Sequence, residues 1–127
     1  MRIPITMWIF LPFGFFSIVA KGKNELVVRG RARADLEAFA QRVAGAEGTI
    51  PEIVEHAGTD YAFRFEATRA DVTRVLSTFI AVDLDYGNFK DEVAKHDAPR
   101  CNLYHEVWVV LRNGLGALRR PARRGRR

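Results

Sequence analysis

One seven-residue segment restricts the fold more than any other, because apolar and polar side chains alternate along it. The side chains at its odd positions are predicted to share one face of a strand: Tyr61, Phe63, Phe65 and Ala67. Arg64 and Glu66 fall on the opposite face. Alternation of period two is typical of an antiparallel sheet with one buried and one hydrated face. The apolar face needs other elements to cover it, and we expect helices to do so.

The order strand, turn, strand, helix is predicted twice along the chain. The four strands cover residues 14–20, 26–31, 50–56 and 61–67. A helix with apolar side chains at helical spacing from Leu36 to Val43 follows the second strand. Another, with an apolar stripe from Val72 to Ile80 and Thr68 as its predicted N-cap, follows the fourth strand.

These elements predict an α+β fold with a four-stranded, mainly antiparallel sheet made of two ββα units. Both helices are expected on one face of that sheet, followed by a helical C-terminal third. There, a short helix over 88–95 and a last helix around Tyr104 and Trp108 are predicted, with Gly114 and Gly116 ending the latter. We expect a single domain over residues 7–118.

The positive charge lies mainly at the end of the chain. The 20 Lys and Arg against 15 Asp and Glu give a formal net charge of +5. Six arginines fall within residues 119–127: Arg119, Arg120, Arg123, Arg124, Arg126 and Arg127. We expect this tail to be disordered and to make weak, non-specific contact with polyanions.

The N-terminal segment is apolar, with no charged side chain over residues 3–20. That length fits a signal peptide or a membrane anchor. Pro4, Pro12 and Gly14 interrupt any helix, however, so we expect a buried strand and no membrane partner. Residues 1–6 add no periodic element, which makes them a candidate non-native leader with translation starting at Met7.

Several kinds of chemistry lack their sequence motifs. Neither a P-loop nor a dinucleotide-binding glycine motif follows any strand. His96, Cys101 and His105 lie within ten residues, but there is no Cys-x-x-Cys or His-Glu-x-x-His, so no metal or other cofactor is expected. The single cysteine also excludes an internal disulfide, which fits a cytoplasmic protein.

Two polar, aromatic-bearing loop segments are the candidate binding site. The predicted ligand-binding residues are Asp60, Tyr61, Arg64, Tyr86, Asn88 and Lys90. Arg64 and Lys90 suit a phosphate or carboxylate, and either tyrosine suits a planar ring. In the alternative interpretation these side chains cap turns and helices and form a hydrated sheet face.

Three functions follow from these patterns. The leading one is a non-catalytic module that binds a small anionic ligand or a protein partner. The first alternative is a hydrolase or transferase for a phosphorylated or nucleotide substrate, with His105 as general base and Asp60 or Asp85 orienting it. The second is non-specific nucleic-acid binding by the tail. An RNA-binding sheet is not favoured, because Tyr61, Phe63 and Phe65 are predicted to face the core.

The chain also resembles a family of small uncharacterised bacterial proteins. The segments that carry the resemblance are Met7-Trp8-Ile9-Phe10, Gly14-Phe15-Phe16-Ser17, Arg31-Ala32-Arg33, Gly58-Thr59-Asp60-Tyr61-Ala62-Phe63-Arg64, Asp85-Tyr86-Gly87-Asn88-Phe89-Lys90 and Tyr104-His105-Glu106-Val107-Trp108. The resemblance spans residues 7–111 and implies a common fold and a common site. The family has no established activity, so it implies no reaction.

Overall fold

The computed structural model describes residues 5–85, 87 and 89–119, apart from the side chains of Lys90, His96 and Arg119. The chain forms two compact units, Met1–Tyr86 and Gly87–Arg127. The single domain predicted over residues 7–118 stays a prediction.

The first unit is built on one antiparallel sheet. Its strands are β1 (Met7–Leu11), β2 (Gly14–Ala20), β3 (Glu25–Gly30), β4 (Val54–Glu55) and β5 (Phe63–Thr68). They lie in the order β1-β2-β3-β5-β4, and every neighbouring pair is antiparallel. The α+β class and the antiparallel sheet are therefore confirmed.

The predicted number of four strands is wrong, because the sheet has five. The additional strand is β1, which a turn at Pro12 and Phe13 folds back onto β2, so that Ile9 lies opposite Phe16. Proline suits such a turn because its φ is already fixed near the required value. Pro12, which argues against an N-terminal helix, thus lies in the turn of the hairpin between β1 and β2.

The pairing of β4 with β5 is shorter than the sequence predicts. The strand predicted over 50–56 pairs only at Val54 and Glu55. The strand predicted to begin at Tyr61 begins at Phe63. The residues between the strands bond within their own loop: the His56 N–H donates to the Ala62 carbonyl at 2.6 Å, and the Thr59 hydroxyl donates to the His56 carbonyl at 2.7 Å.

Two helices cover one face of the sheet, which we call the inner face. They are α1 (Arg33–Ala44) and α2 (Arg69–Thr78). The Phe39 ring of α1 lies 5.0 Å from that of Phe16 and 5.8 Å from that of Phe65, measured between ring centroids. Burying large rings in this way removes apolar surface from water and stabilises the packing of α1 on the sheet.

The N-terminal end of α2 is as predicted, whereas its C-terminal end differs. Thr68 caps α2 as predicted, since its hydroxyl accepts the Asp71 N–H at 3.0 Å. Beyond Thr78 the chain forms a π-helical turn, Phe79–Asp83, in which the Leu84 N–H donates to the Phe79 carbonyl at 2.9 Å. The wider turn changes the helical register, so Ile80, predicted to share the apolar stripe, is exposed.

The second unit contains α3 (Phe89–His96) and α4 (Ala98–Arg119). Val93 of α3 is fully buried, and the rings of Phe89 and Tyr104 stack with centroids 5.8 Å apart. The prediction that Gly114 and Gly116 end the last helix is wrong, because α4 continues through both of them. Glycine lowers helix propensity without preventing helical backbone geometry. In the described residues, no helix combines the length and the apolar character needed to cross a bilayer.

Candidate functional site

The candidate site lies on the face of the sheet opposite to α1 and α2, which we call the outer face. Strand alternation places on it the side chains that do not point into the core. Five of them form one row across the sheet, because they are Cα partners in successive strand pairs: Trp8, Ser17, Arg29, Arg64 and Val54.

The centre of the outer face holds two arginines side by side. Arg29 of β3 and Arg64 of β5 are direct cross-strand partners, and both are half-buried. Like charges in that position repel each other. Neither guanidinium has a carboxylate oxygen within 4.0 Å among the described residues, and both Nε atoms are buried without a hydrogen-bond partner there. The positive charge of this pair is therefore only partly compensated.

Neutral groups orient these two side chains. Nη2 of Arg29 donates to the hydroxyl of Ser17 at 2.7 Å, and Ser17 itself is 0% exposed. Nη2 of Arg64 donates to the Tyr61 carbonyl at 2.9 Å. Bonds to neutral oxygens fix the planes of the guanidinium groups while leaving their charge available to an anion.

Tyr61 packs against two cations. The guanidinium carbons of Arg29 and Arg31 lie 4.7 and 4.5 Å from the centroid of its ring. Such distances give an attractive cation–π interaction. The prediction that Tyr61 faces the core is wrong: Phe65 is buried in the core, whereas Tyr61 precedes β5 and its ring lies with these arginines.

Among the described residues, Arg31 is the member of the arginine cluster (Arg29, Arg31 and Arg64) that has a carboxylate partner. Its Nε and Nη2 donate to the two carboxylate oxygens of Asp60 at 3.0 and 3.1 Å. The hydrogen bond from Arg31 lowers the pKa of Asp60 below 3.8, and the same bond raises the pKa of Arg31. Asp60 therefore stays ionised at neutral pH and joins the loop after β4 to the end of β3.

A separate ion pair neutralises a fourth cation on the outer face. Nζ of Lys21 donates to Glu66 at 2.8 Å, which raises the pKa of Lys21 above 10.5. Because both side chains are more than half exposed, the pair contributes little to stability. Among the described residues of the outer face, Arg29 and Arg64 are thus the cations without a carboxylate oxygen within 4.0 Å, and the Asp60 carboxylate interacts with Arg29 only at longer range.

The structure brings together three of the predicted ligand-binding residues, namely Asp60, Tyr61 and Arg64. Tyr86, Asn88 and the side chain of Lys90 lie outside the described part of the chain. Asp85 is an exposed residue after the π-helical turn. A pocket made of all the predicted residues stays a prediction.

The predicted general base belongs to the second unit. His105 is an exposed residue of α4 whose ring stacks on that of Trp108, with centroids 5.7 Å apart. Cys101, also on α4, is half-buried. No group of three metal-binding side chains occurs among the described residues, which do not include the side chain of His96.

Sequence reasoning missed Arg29, Arg31 and Ser17 as site residues. A signal for the two arginines was present, since Val27, Arg29 and Arg31 alternate with Leu26, Val28 and Gly30. That alternation puts both arginines on the hydrated face of a strand. The pairing of β3 with β5, which places Arg29 beside Arg64, joins residues 35 positions apart and has no local sequence signature.

Comparisons with models of protein families, with curated proteins and with solved structures gave no significant match.

Proposed function

We propose that this protein is a non-catalytic, cytoplasmic binding module that takes an anionic ligand on the outer face of its sheet. Arg29 and Arg64 are the residues that bind the anion, and Tyr61 lies beside it. One observation carries the proposal: two adjacent guanidinium groups have no carboxylate partner among the described residues. A bound phosphate or carboxylate relieves the repulsion between them.

The charge of the rest of the chain supports this assignment. Residues 7–118 contain 13 basic and 15 acidic side chains, so this part of the chain is slightly negative. The positive charge of the outer-face arginines is therefore opposite in sign to that of the segment as a whole. Among the described residues, Asp60 is the one carboxylate within 4.0 Å of Arg29, Arg31 or Arg64, and it binds Arg31.

The test is a thermal-shift titration with inorganic pyrophosphate, with sodium chloride at matched ionic strength as the reference. A ligand at ten times its Kd stabilises the folded state by about 1.4 kcal/mol. For a chain of this size that corresponds to a rise in Tm of about 5 °C. The double substitution Arg29→Gln and Arg64→Gln is expected to abolish the rise.

Two control variants test whether the thermal shift depends on the arginines of the outer face. Arg33→Gln removes an exposed arginine of α1 that pairs with Glu37, and it should keep the full shift. Asp60→Asn removes the internal carboxylate beside Arg31 and should increase the affinity for pyrophosphate, a gain that misfolding does not produce. Equal shifts in wild type and in the double variant, or none in either, contradict the proposal.

The enzyme alternative has less support. Asp60, one of the two carboxylates predicted to orient His105, accepts hydrogen bonds from Nε and Nη2 of Arg31. His105 packs its ring on Trp108. Binding by the arginine tail remains a second hypothesis, and residues 120–127 lie outside the described part of the chain.

A further inference from the structure

Aromatic side chains continue the outer face from the arginines to the sheet edge. Trp8 and Phe10 of the edge strand β1 are 66% and 37% exposed. The Phe15 ring lies 4.4 Å from Phe10 and 6.1 Å from Trp8, between centroids. The Arg31 guanidinium carbon is 5.6 Å from the Phe15 centroid, so the aromatic group borders the cationic cluster directly.

The cross-strand register gives the distance between the two groups. Trp8, Ser17, Arg29 and Arg64 occupy one row on four neighbouring strands. Neighbouring strands are about 4.8 Å apart, which places the backbone of Trp8 about 10 Å from that of Arg29 and about 14 Å from that of Arg64. A free phosphate is too small to touch both the indole and the guanidinium groups. A ligand that uses both carries rings and anionic groups on one backbone.

We infer that the outer face binds single-stranded nucleic acid, with bases stacked on Trp8 and Phe10 and backbone phosphates on Arg29 and Arg64; this rests on the proposed function. Aromatic platforms beside a positive groove are the usual chemistry of single-strand binding, because every base has a face to stack and every nucleotide has a phosphate. A sheet surface also lacks the protruding helix that enters the major groove of a duplex.

An acidic peptide is the competing occupant, and it fits less well. Carboxylates would satisfy Arg29 and Arg64, but acidic side chains offer nothing to stack on the exposed indole of Trp8. Tyr61 and Phe15 lie against the Arg31 guanidinium, and Arg planes together with aromatic rings make a surface that suits bases.

The test uses the full-length chain with its six tail arginines changed to glutamine, so that the tail does not contribute. Fluorescence anisotropy measures binding of labelled oligonucleotides of about eight residues, a length within the range for one small domain. The ligands are oligo-U, oligo-dT, a duplex of the same length, polyphosphate and poly-glutamate. We expect single strands to bind more tightly than the duplex, polyphosphate or poly-glutamate.

Two substitutions separate the contributions of stacking and charge. Trp8→Ala should weaken oligonucleotide binding by roughly 5- to 100-fold, the loss of one stacked base, whereas Trp8→Phe should restore most of it. Arg64→Gln should weaken binding and lower the slope of log K against log salt by about 0.7, the value for one phosphate of a single strand. Arg33→Gln should change neither quantity.

A spectroscopic measurement places the ligand. The chain has two tryptophans, so Trp108→Phe leaves Trp8 as the sole indole. Quenching of its fluorescence by oligonucleotide, but not by pyrophosphate, supports stacking on Trp8. Circular dichroism and Tm of each variant confirm that the fold is retained.

The possible results have distinct meanings. If polyphosphate binds as tightly as oligonucleotide and Trp8→Ala has no effect, this inference fails and the anion-binding proposal stands. If no anion binds, both fail. Tighter binding of poly-glutamate than of single strands, or Trp8-dependent self-association in analytical ultracentrifugation without oligonucleotide, also overturns the inference, in favour of a protein partner or a second copy.

Discussion

Asp35 is a buried carboxylate that joins α1 to the sheet. Its Oδ2 accepts the backbone N–H of Phe15 at 3.2 Å, and its position in the first turn of α1 also suits the helix dipole. Gly14 makes this approach possible. A Cβ at Gly14 would lie 2.7 Å from Cβ and Cγ of Asp35, which is closer than atoms in contact allow.

We therefore predict that Asp35→Ala lowers the free energy of unfolding by about 1 to 3 kcal/mol, because it leaves the Phe15 N–H without its acceptor. Urea denaturation followed by circular dichroism measures the loss. Glu37→Ala, an exposed position on the same helix with a partner at 3.4 Å, should change the stability by less than about 1 kcal/mol. Equal losses in both variants would show that Asp35 has no special role.

A second residue-scale prediction concerns the pH dependence of the Arg31–Asp60 pair. The pKa of Asp60 is lowered from 3.8, so the pair contributes stability above pH 3.8 and loses it as the pH falls through the folded-state pKa. Carbon-13 NMR of the Asp60 carboxyl should show titration below pH 3.8. In Arg31→Gln the midpoint should return toward 3.8, and an unchanged midpoint would contradict the hydrogen bond as its cause.

At the scale of elements, the strands β2, β3 and β5 and the helices α1 and α2 were predictable because local signals agree with one another. Alternation marks β5, aromatic and β-branched side chains favour a strand at β2, and an apolar stripe marks α1 and α2. The extent of β4 was not predictable from the sequence, because Val54 and Glu55 form a strand only where β5 is available to pair with them. Strand ends depend on partners that lie elsewhere in the sequence.

The N-cap of α2 gives an element-scale prediction. Thr68→Ala removes the acceptor of the Asp71 N–H and should lower the free energy of unfolding by about 1 kcal/mol. Thr73→Ala, an exposed interior position of the same helix, should be neutral or slightly stabilising, because alanine has the higher helix propensity. The difference between the two variants in urea denaturation isolates the cap from the loss of a threonine.

The two glycines of α4 give a second element-scale prediction. Nothing lies within 4 Å of a Cβ built at Gly114 or Gly116, so alanine fits at both positions. Gly114→Ala with Gly116→Ala should increase the helical circular dichroism at 222 nm and stabilise the helix by up to about 1 kcal/mol per position. A decrease in the signal would mean that this part of α4 is not helical in solution.

At the scale of the whole molecule, the net charge of +5 describes two separate properties. Six arginines within residues 119–127 account for more than the whole excess, while the outer face carries its own small positive cluster. The formal net charge therefore says little about the sheet. The contributions of the tail and of the outer face to anion binding have to be measured with separate variants.

We predict that changing the six tail arginines to glutamine shifts elution from a heparin column to lower salt, because fewer counterions are released on binding. The pyrophosphate-dependent rise in Tm should remain, since it depends on Arg29 and Arg64. Loss of the thermal shift together with heparin binding would move the anion site from the sheet to the tail.

The sequence by itself determined the α+β class, the order of most elements and the Thr68 cap, because periodicity and capping act between residues close together in the chain. It also placed Asp60, Tyr61 and Arg64 at one hairpin. Only the tertiary structure decided that Tyr61 leaves the core, that β1 completes the sheet, and that Arg29 lies beside Arg64. The position of Tyr61 and the Arg29–Arg64 pair depend on contacts between distant segments, with a strand register set by burial of the inner face as a whole. The strand β1 depends on its hairpin with β2, which forms where the turn at Pro12 and Phe13 reverses the chain.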